Sequence, residues 1–166
     1  MATGTLISVQ EYLSTSYSPD RDYLDGMVVE RTVGEKDHSR LQTDLSTYLN
    51  VRAKQWRMHV YVEQRVQVKP TRFRVPDICV VAGAEPEEQI FTAPPLVCIE
   101  ILSKDDRWSA VQERIDDYLS FGVPHVWVID PRSRKAYEFT PAGMHEVQEL
   151  RIAEPDIRVP LRELFD

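Results

Sequence analysis

The stretch Arg74-Val-Pro-Asp77-Ile-Cys-Val-Val81, answered by Leu96-Val-Cys-Ile-Glu100-Ile-Leu-Ser103, decides how this chain is read. Both segments are short, rich in Val and Ile and bounded by Pro or polar residues, which predicts two buried strands. Each carries one carboxylate inside an otherwise apolar run. A lone buried carboxylate is costly, so it is normally paired, protonated or bound to a cation. With the strands antiparallel and Asp77 opposite Glu100, Cys79 falls opposite Cys98, and all four side chains share one sheet face. Two hard oxygen donors, with the Ile101 carbonyl and waters, suit a shared Mg²⁺ or Mn²⁺ better than zinc. Taken singly, each acid has a simpler explanation: Asp77 as a turn residue after Pro76, Glu100 as a salt-bridge partner of Arg114.

Outward from this pair, the pattern predicts a mixed β-sheet flanked by helices, an α/β fold. Ser8 caps a short helix reaching Tyr17, and Asp25-Gly26 turns into a strand over Met27–Thr32. Leu41, Leu45, Tyr48, Leu49 and Trp56 keep helical spacing, which predicts a long helix from Glu35 to Trp56. Strands over His59–Val68 and Arg74–Val81 are joined by a turn at Pro70, and Leu96–Leu102 follows the Pro94-Pro95 break. A helix runs from Trp108 to Phe121 and stops at Gly122. Strands over His125–Asp130 and Ala136–Thr140 come next, with Met144–Leu150 at an edge and a short helix from Pro160 in the tail.

The 166 residues suit one domain (residues 1–166) with a core that needs no staples. No apolar run reaches membrane-spanning length and no signal-peptide pattern opens the chain, so a cytoplasmic, non-membrane protein is expected. Cys79 and Cys98 lack metal-ligand spacing and read as small core residues. A net charge of −7 argues against coating nucleic acid by bulk electrostatics. A local basic surface is still available: Arg65, Lys69, Arg72 and Arg74 form an acid-free segment, read either as a solvated hairpin or as a phosphate-contacting rim beside Asp77.

The whole pattern resembles the PD-(D/E)xK nuclease superfamily, whose motif begins here with Pro76-Asp77 and continues at Glu100. Within it the chain resembles the Uma-type family, a group assigned as restriction endonucleases largely from sequence. The resemblance covers Tyr23-Leu-Asp-Gly26, Glu30, His38, Val75-Pro-Asp-Ile78, Ile99-Glu-Ile-Leu-Ser103, Tyr118-Leu-Ser-Phe-Gly-Val123 and Trp127-Val-Ile-Asp-Pro131, in order. It implies a restriction-endonuclease-like core and a metal-dependent endonuclease that hydrolyses DNA phosphodiester bonds with a metal-activated water. Asp77, Glu100 and Ile101 would hold Mg²⁺ or Mn²⁺. The motif's usual Lys, two residues after the Glu, is Leu102 here. The family resemblance places a basic residue on the next helix instead, at Arg114, where Lys is expected. Arginine neutralises phosphate but is a poor proton acceptor, because it stays charged. Water activation would then fall to the metal. The same substitution fits an alternative: a catalytically weak or inactive nuclease-fold module that binds nucleic acid or a protein partner.

Among secondary candidates, His38 at the start of the long helix would contact phosphate or assist proton transfer, with a structural hydrogen bond as its alternative. Glu30 would add an outer carboxylate. Trp56, Trp108 and Trp127 read as packing residues, and His59, His125 and His145 share no ligand spacing. A homodimer would supply the two active sites that cutting both DNA strands requires.

Overall fold

A computed structural model describes residues 4–32 and 34–165. Ser8 is extended and caps α1 (Val9–Leu13), its hydroxyl accepting from the Glu11 N–H at 3.0 Å. The helix stops short of Tyr17 because the Ser14 and Thr15 hydroxyls turn back onto the Glu11 carbonyl at 3.1 and 2.6 Å. The hairpin of β1 (Asp22–Leu24) and β2 (Met27–Val29) turns through Asp25 and Gly26, both at positive φ. α2 (Lys36–Asn50) is also shorter than expected; the chain beyond it coils through turns that end at Arg57, in the left-handed region.

The predicted strand over His59–Val68 is in fact two strands in two different sheets. β3 (Met58–Val62) ends at Glu63, which adopts a left-handed φ of 50°, and β4 (Val66–Lys69) starts afresh beyond it. Arg74–Val81 likewise divides. β5 (Arg72–Arg74) joins the small sheet, and β6 (Ile78–Ala82) joins the large one after Val75-Pro76-Asp77. Pro76, with no N–H for a ladder, marks the crossing point. Then come β7 (Val97–Ile101), α3 (Trp108–Phe121), β8 (His125–Asp130), β9 (Lys135–Thr140) and β10 (Gly143–Val147). Leu150 falls not on the predicted edge strand but in β11 (Glu149–Ile152), which pairs only with β12 (Ile157–Pro160) before α4 (Arg162–Phe165).

The large sheet runs β10-β9-β8-β7-β6-β3, and the small one β2-β1-β5-β4. β7 is antiparallel to β6 and parallel to β8, with α3 as the crossover, so the central sheet is mixed as expected. Cys79 sits opposite Cys98, the predicted register. Burial pushes both thiols up, Cys79 to about 12, as suits inert core residues. β7 is buried on both faces. Val97, Ile99 and Ile101 pack with Leu41, Leu45 and Leu49 of α2, while Cys98 packs with Val111, Ile115 and Tyr118 of α3. The two helices therefore cover opposite faces, and the ends of β7 and α3 meet where the paired acids lie. Gly122 takes the left-handed cap of α3, at φ 108°, where a side chain would be strained.

Candidate active site

The carboxylates of Asp77 and Glu100 come together at the C-terminal end of β7. Asp77 immediately precedes β6, so it occupies no rung of the ladder. Its Oδ2 reaches over the strand end to accept from the Ile101 N–H at 2.8 Å. Glu100 lies within β7 and faces α3, where Tyr118 donates its hydroxyl to Oε1 at 2.6 Å. The predicted common face thus holds for Cys79, Cys98 and Glu100, whereas Asp77 approaches from the strand's end. Both acids line one cavity of about 10 Å³, together with Arg31, Thr32, His38, Ile101, Asp106 and Arg114. That space admits about one water. A second cavity of about 90 Å³, bounded by Gly34, Ser39, Gln42 and Glu63, shares Arg31, Thr32, His38 and Asp77 with it. Larger hollows of about 320 and 580 Å³ lie elsewhere, and neither touches the paired acids.

Local folding explains how each side chain arrives. The buried stripe of α2 is His38, Leu41, Leu45 and Leu49, so the periodicity that seats the helix also aims His38 at the strand end. His38 Nε2 lies 3.3 Å from Asp77 Oδ2, and one turn later Gln42 donates to the Asp77 carbonyl at 3.0 Å. On α3, Arg114 and Tyr118 are one turn apart and both face Glu100. Arg114 Nε stands 3.5 Å from Glu100 Oε2, and its Nη2 3.3 Å from Asp106 Oδ1. Asp106 is fixed by the Ser103 N–H at 2.8 Å and touched by the Thr32 hydroxyl at 3.2 Å.

Burial pushes Glu100 up to about 7; Arg114 works against that rise and the Asp77 charge adds to it. Burial draws His38 down, but its hydrogen bond to Asp77 and the Asp77 charge outweigh the effect and leave its pKa raised. His38 Nδ1 and Arg114 Nε are buried without hydrogen-bond partners. Such orphaned groups are expensive in a site that stays closed.

The donor set fits a hard cation in kind. Burial disfavours the ionised form of Glu100, and a divalent ion held there would stabilise that form. Among the described residues no three His, Cys, Asp or Glu side chains stand together as ligands, so Asp77 and Glu100 would need the Ile101 carbonyl and water.

The Uma2 family, described as "Putative restriction endonuclease", matches residues 9–166. The chain belongs to that family. Among solved structures, the Uma2 chain is similar to a putative nuclease of DUF820 from Anabaena variabilis ATCC 29413, at 23% identity with a TM-score of 0.82, covering 96% of this chain and 97% of that one. This likeness establishes the restriction-endonuclease-like fold. A DrdV–DNA complex is a far weaker neighbour (15% identity, TM-score 0.44, 76% of this chain and 12% of that one) and carries no argument. No curated protein sequence matches.

In this Uma2 chain, Asp77, Glu100, Ile101, His38 and Arg114 share one cavity. Glu30 does not join them: it is exposed and pairs with Arg21 at 3.1 Å. Of the four basic residues of the candidate phosphate-contacting rim, Lys69 is exposed and the three arginines are engaged within the protein. Arg65 is clamped by Asp20 at 2.7 Å and stacks over Tyr12, Arg72 pairs with Glu113 at 2.8 Å, and Arg74 is buried between Asp22 and Asp117. Trp127 is fully buried and Trp56 packs on the core, whereas Trp108 is half-exposed against Phe139. Sequence reasoning missed Arg31, Asp106 and the polar role of Tyr118. Ser103-x-x-Asp106 carried a usable turn signal; Arg31 carried none.

Proposed function

We propose that this protein is a metal-dependent endonuclease that hydrolyses phosphodiester bonds in DNA. The observation that carries the reading is the convergence of Asp77, just before β6, and Glu100, within β7, on one cavity of an Uma2-family chain. Asp77, Glu100 and the Ile101 carbonyl would hold Mg²⁺ or Mn²⁺. Bound there, the cation would lower the pKa of a water and stabilise charge on the phosphate. The chain's own groups do the rest. The Ile101 N–H and His38 fix one Asp77 oxygen, and Tyr118 fixes the orientation of Glu100. Arg114, permanently charged, neutralises a phosphate oxygen without acting as base. The His38 imidazole, its pKa raised, is a proton donor to the departing oxygen.

The test is nicking of supercoiled plasmid with Mg²⁺ or Mn²⁺. Wild type should cut, and Asp77→Ala and Glu100→Ala should each lose about a hundredfold or more in rate. Equal cleavage by all three would contradict the assignment. A second reading, a nuclease fold that binds without cutting, draws on the arginine partner each acid already has and on Arg114 in place of Lys. It predicts no divalent-ion binding that depends on Asp77.

A further inference from the structure

We infer that Arg31 is an exchangeable occupant of the cation position, holding Asp77 in the cation-free protein and taking a DNA phosphate once a divalent ion displaces it. This rests on the nuclease reading above. The two oxygens of Asp77 are not equivalent. Oδ2 is engaged by the Ile101 N–H at 2.8 Å and by His38 at 3.3 Å. Among the described residues, Oδ1 meets a single group, the Arg31 Nη2, also at 2.8 Å. A cation drawing on Oδ1 would compete with that guanidinium for the same oxygen. The two cannot sit together comfortably, because like charges a few ångströms apart in a poorly hydrated site repel strongly.

Arg31 is built for exchange in a way that the more deeply buried Arg74 is not. Arg74 is gripped by two buried carboxylates, Asp117 at 2.7 Å and Asp22 at 3.0 Å. Arg31 has one anionic partner and stands in the connection between β2 and α2 rather than in a strand. It also has somewhere to go, since it lines both the small cavity at the acids and the neighbouring one of about 90 Å³. Once off Asp77, the guanidinium remains charged and presents a planar fork that matches phosphate oxygens. Its basic charge would then serve DNA where the engaged Arg65, Arg72 and Arg74 cannot.

The test measures two affinities with opposite expected signs, neither of them a rate. Mn²⁺ binding is followed by calorimetry, and binding of a short DNA duplex by fluorescence anisotropy with Ca²⁺ as a non-cleaving ion. Arg31→Met should bind Mn²⁺ about tenfold more tightly, because the competitor is gone, and bind DNA about tenfold more weakly. Arg31→Lys, which keeps the charge but loses the fork, should stay within about threefold of wild type for Mn²⁺. It guards against a fold defect in the Met variant. Asp77→Asn should lose Mn²⁺ binding. Unchanged or weaker Mn²⁺ binding in both Arg31 variants, with Asp77→Asn still defective, would overturn the exchange and leave the nuclease reading standing. Mn²⁺ binding that ignores Asp77→Asn would remove both.

Discussion

One helix face serves two arginine–carboxylate clusters, and they are built differently. On α3, Glu113 and Asp117 reach Arg72 and Arg74, while Arg114 and Tyr118 reach Glu100. In the first cluster Arg74 is almost wholly enclosed, bonded at 2.7 and 3.0 Å, and Asp22 also takes the Val75 N–H at 3.0 Å. In the second the Arg114 contacts stretch to 3.5 and 3.3 Å and a cavity lies alongside, although each cluster holds arginine nitrogens without hydrogen-bond partners. Short contacts between enclosed charges hold the small sheet to α3, whereas longer contacts beside a cavity leave room for an outside group.

The largest expected effect breaks or upholds this contrast directly. Arg74→Met strands two buried carboxylates and should cost about 3–5 kcal/mol in denaturant melts. Arg114→Met should cost less, about 1–2 kcal/mol, because Glu100, already pushed up to about 7, can take a proton instead. Equal costs would erase the distinction.

A second prediction sharpens the site half. The Glu100 carboxyl titrates at about 7 when folded against 4.5 ordinarily, so its raised pKa removes stability as pH climbs through that window and contributes none below it. In chelator-treated buffer, Glu100→Gln should therefore gain on wild type between about pH 4.5 and 7, by up to about 3 kcal/mol, then level off. A flat difference across that range would contradict it. The smallest effect is a control. Lys104 is exposed and pairs only with Glu35 at 3.2 Å, so Lys104→Ala should move stability by less than about 0.5 kcal/mol and leave Mn²⁺ affinity unchanged.

Much of this was legible in the sequence, for identifiable reasons. Short Val- and Ile-rich runs bounded by Pro or polar residues placed β6 and β7, and the equal offsets of Asp77–Cys79 and Cys98–Glu100 set their register. The stripe Val111, Ile115, Tyr118 and the stop at Gly122 placed α3 along its full length. The split between β3 and β4 was invisible, because His59 to Lys69 keeps alternating while the break falls at Glu63, a residue type with no preference for positive φ. Arg31 was hidden for another reason. Its partner is fixed by tertiary packing, and it meets Asp77 across 46 positions of chain.

The most direct test of the central claim is diffraction from crystals soaked in Mn²⁺, read for anomalous density at the end of β7. The expected result is an ion bounded by Asp77, Glu100 and the Ile101 carbonyl, with Arg31 withdrawn from Asp77. Featureless density there, with Arg31 still seated on the aspartate, would contradict it.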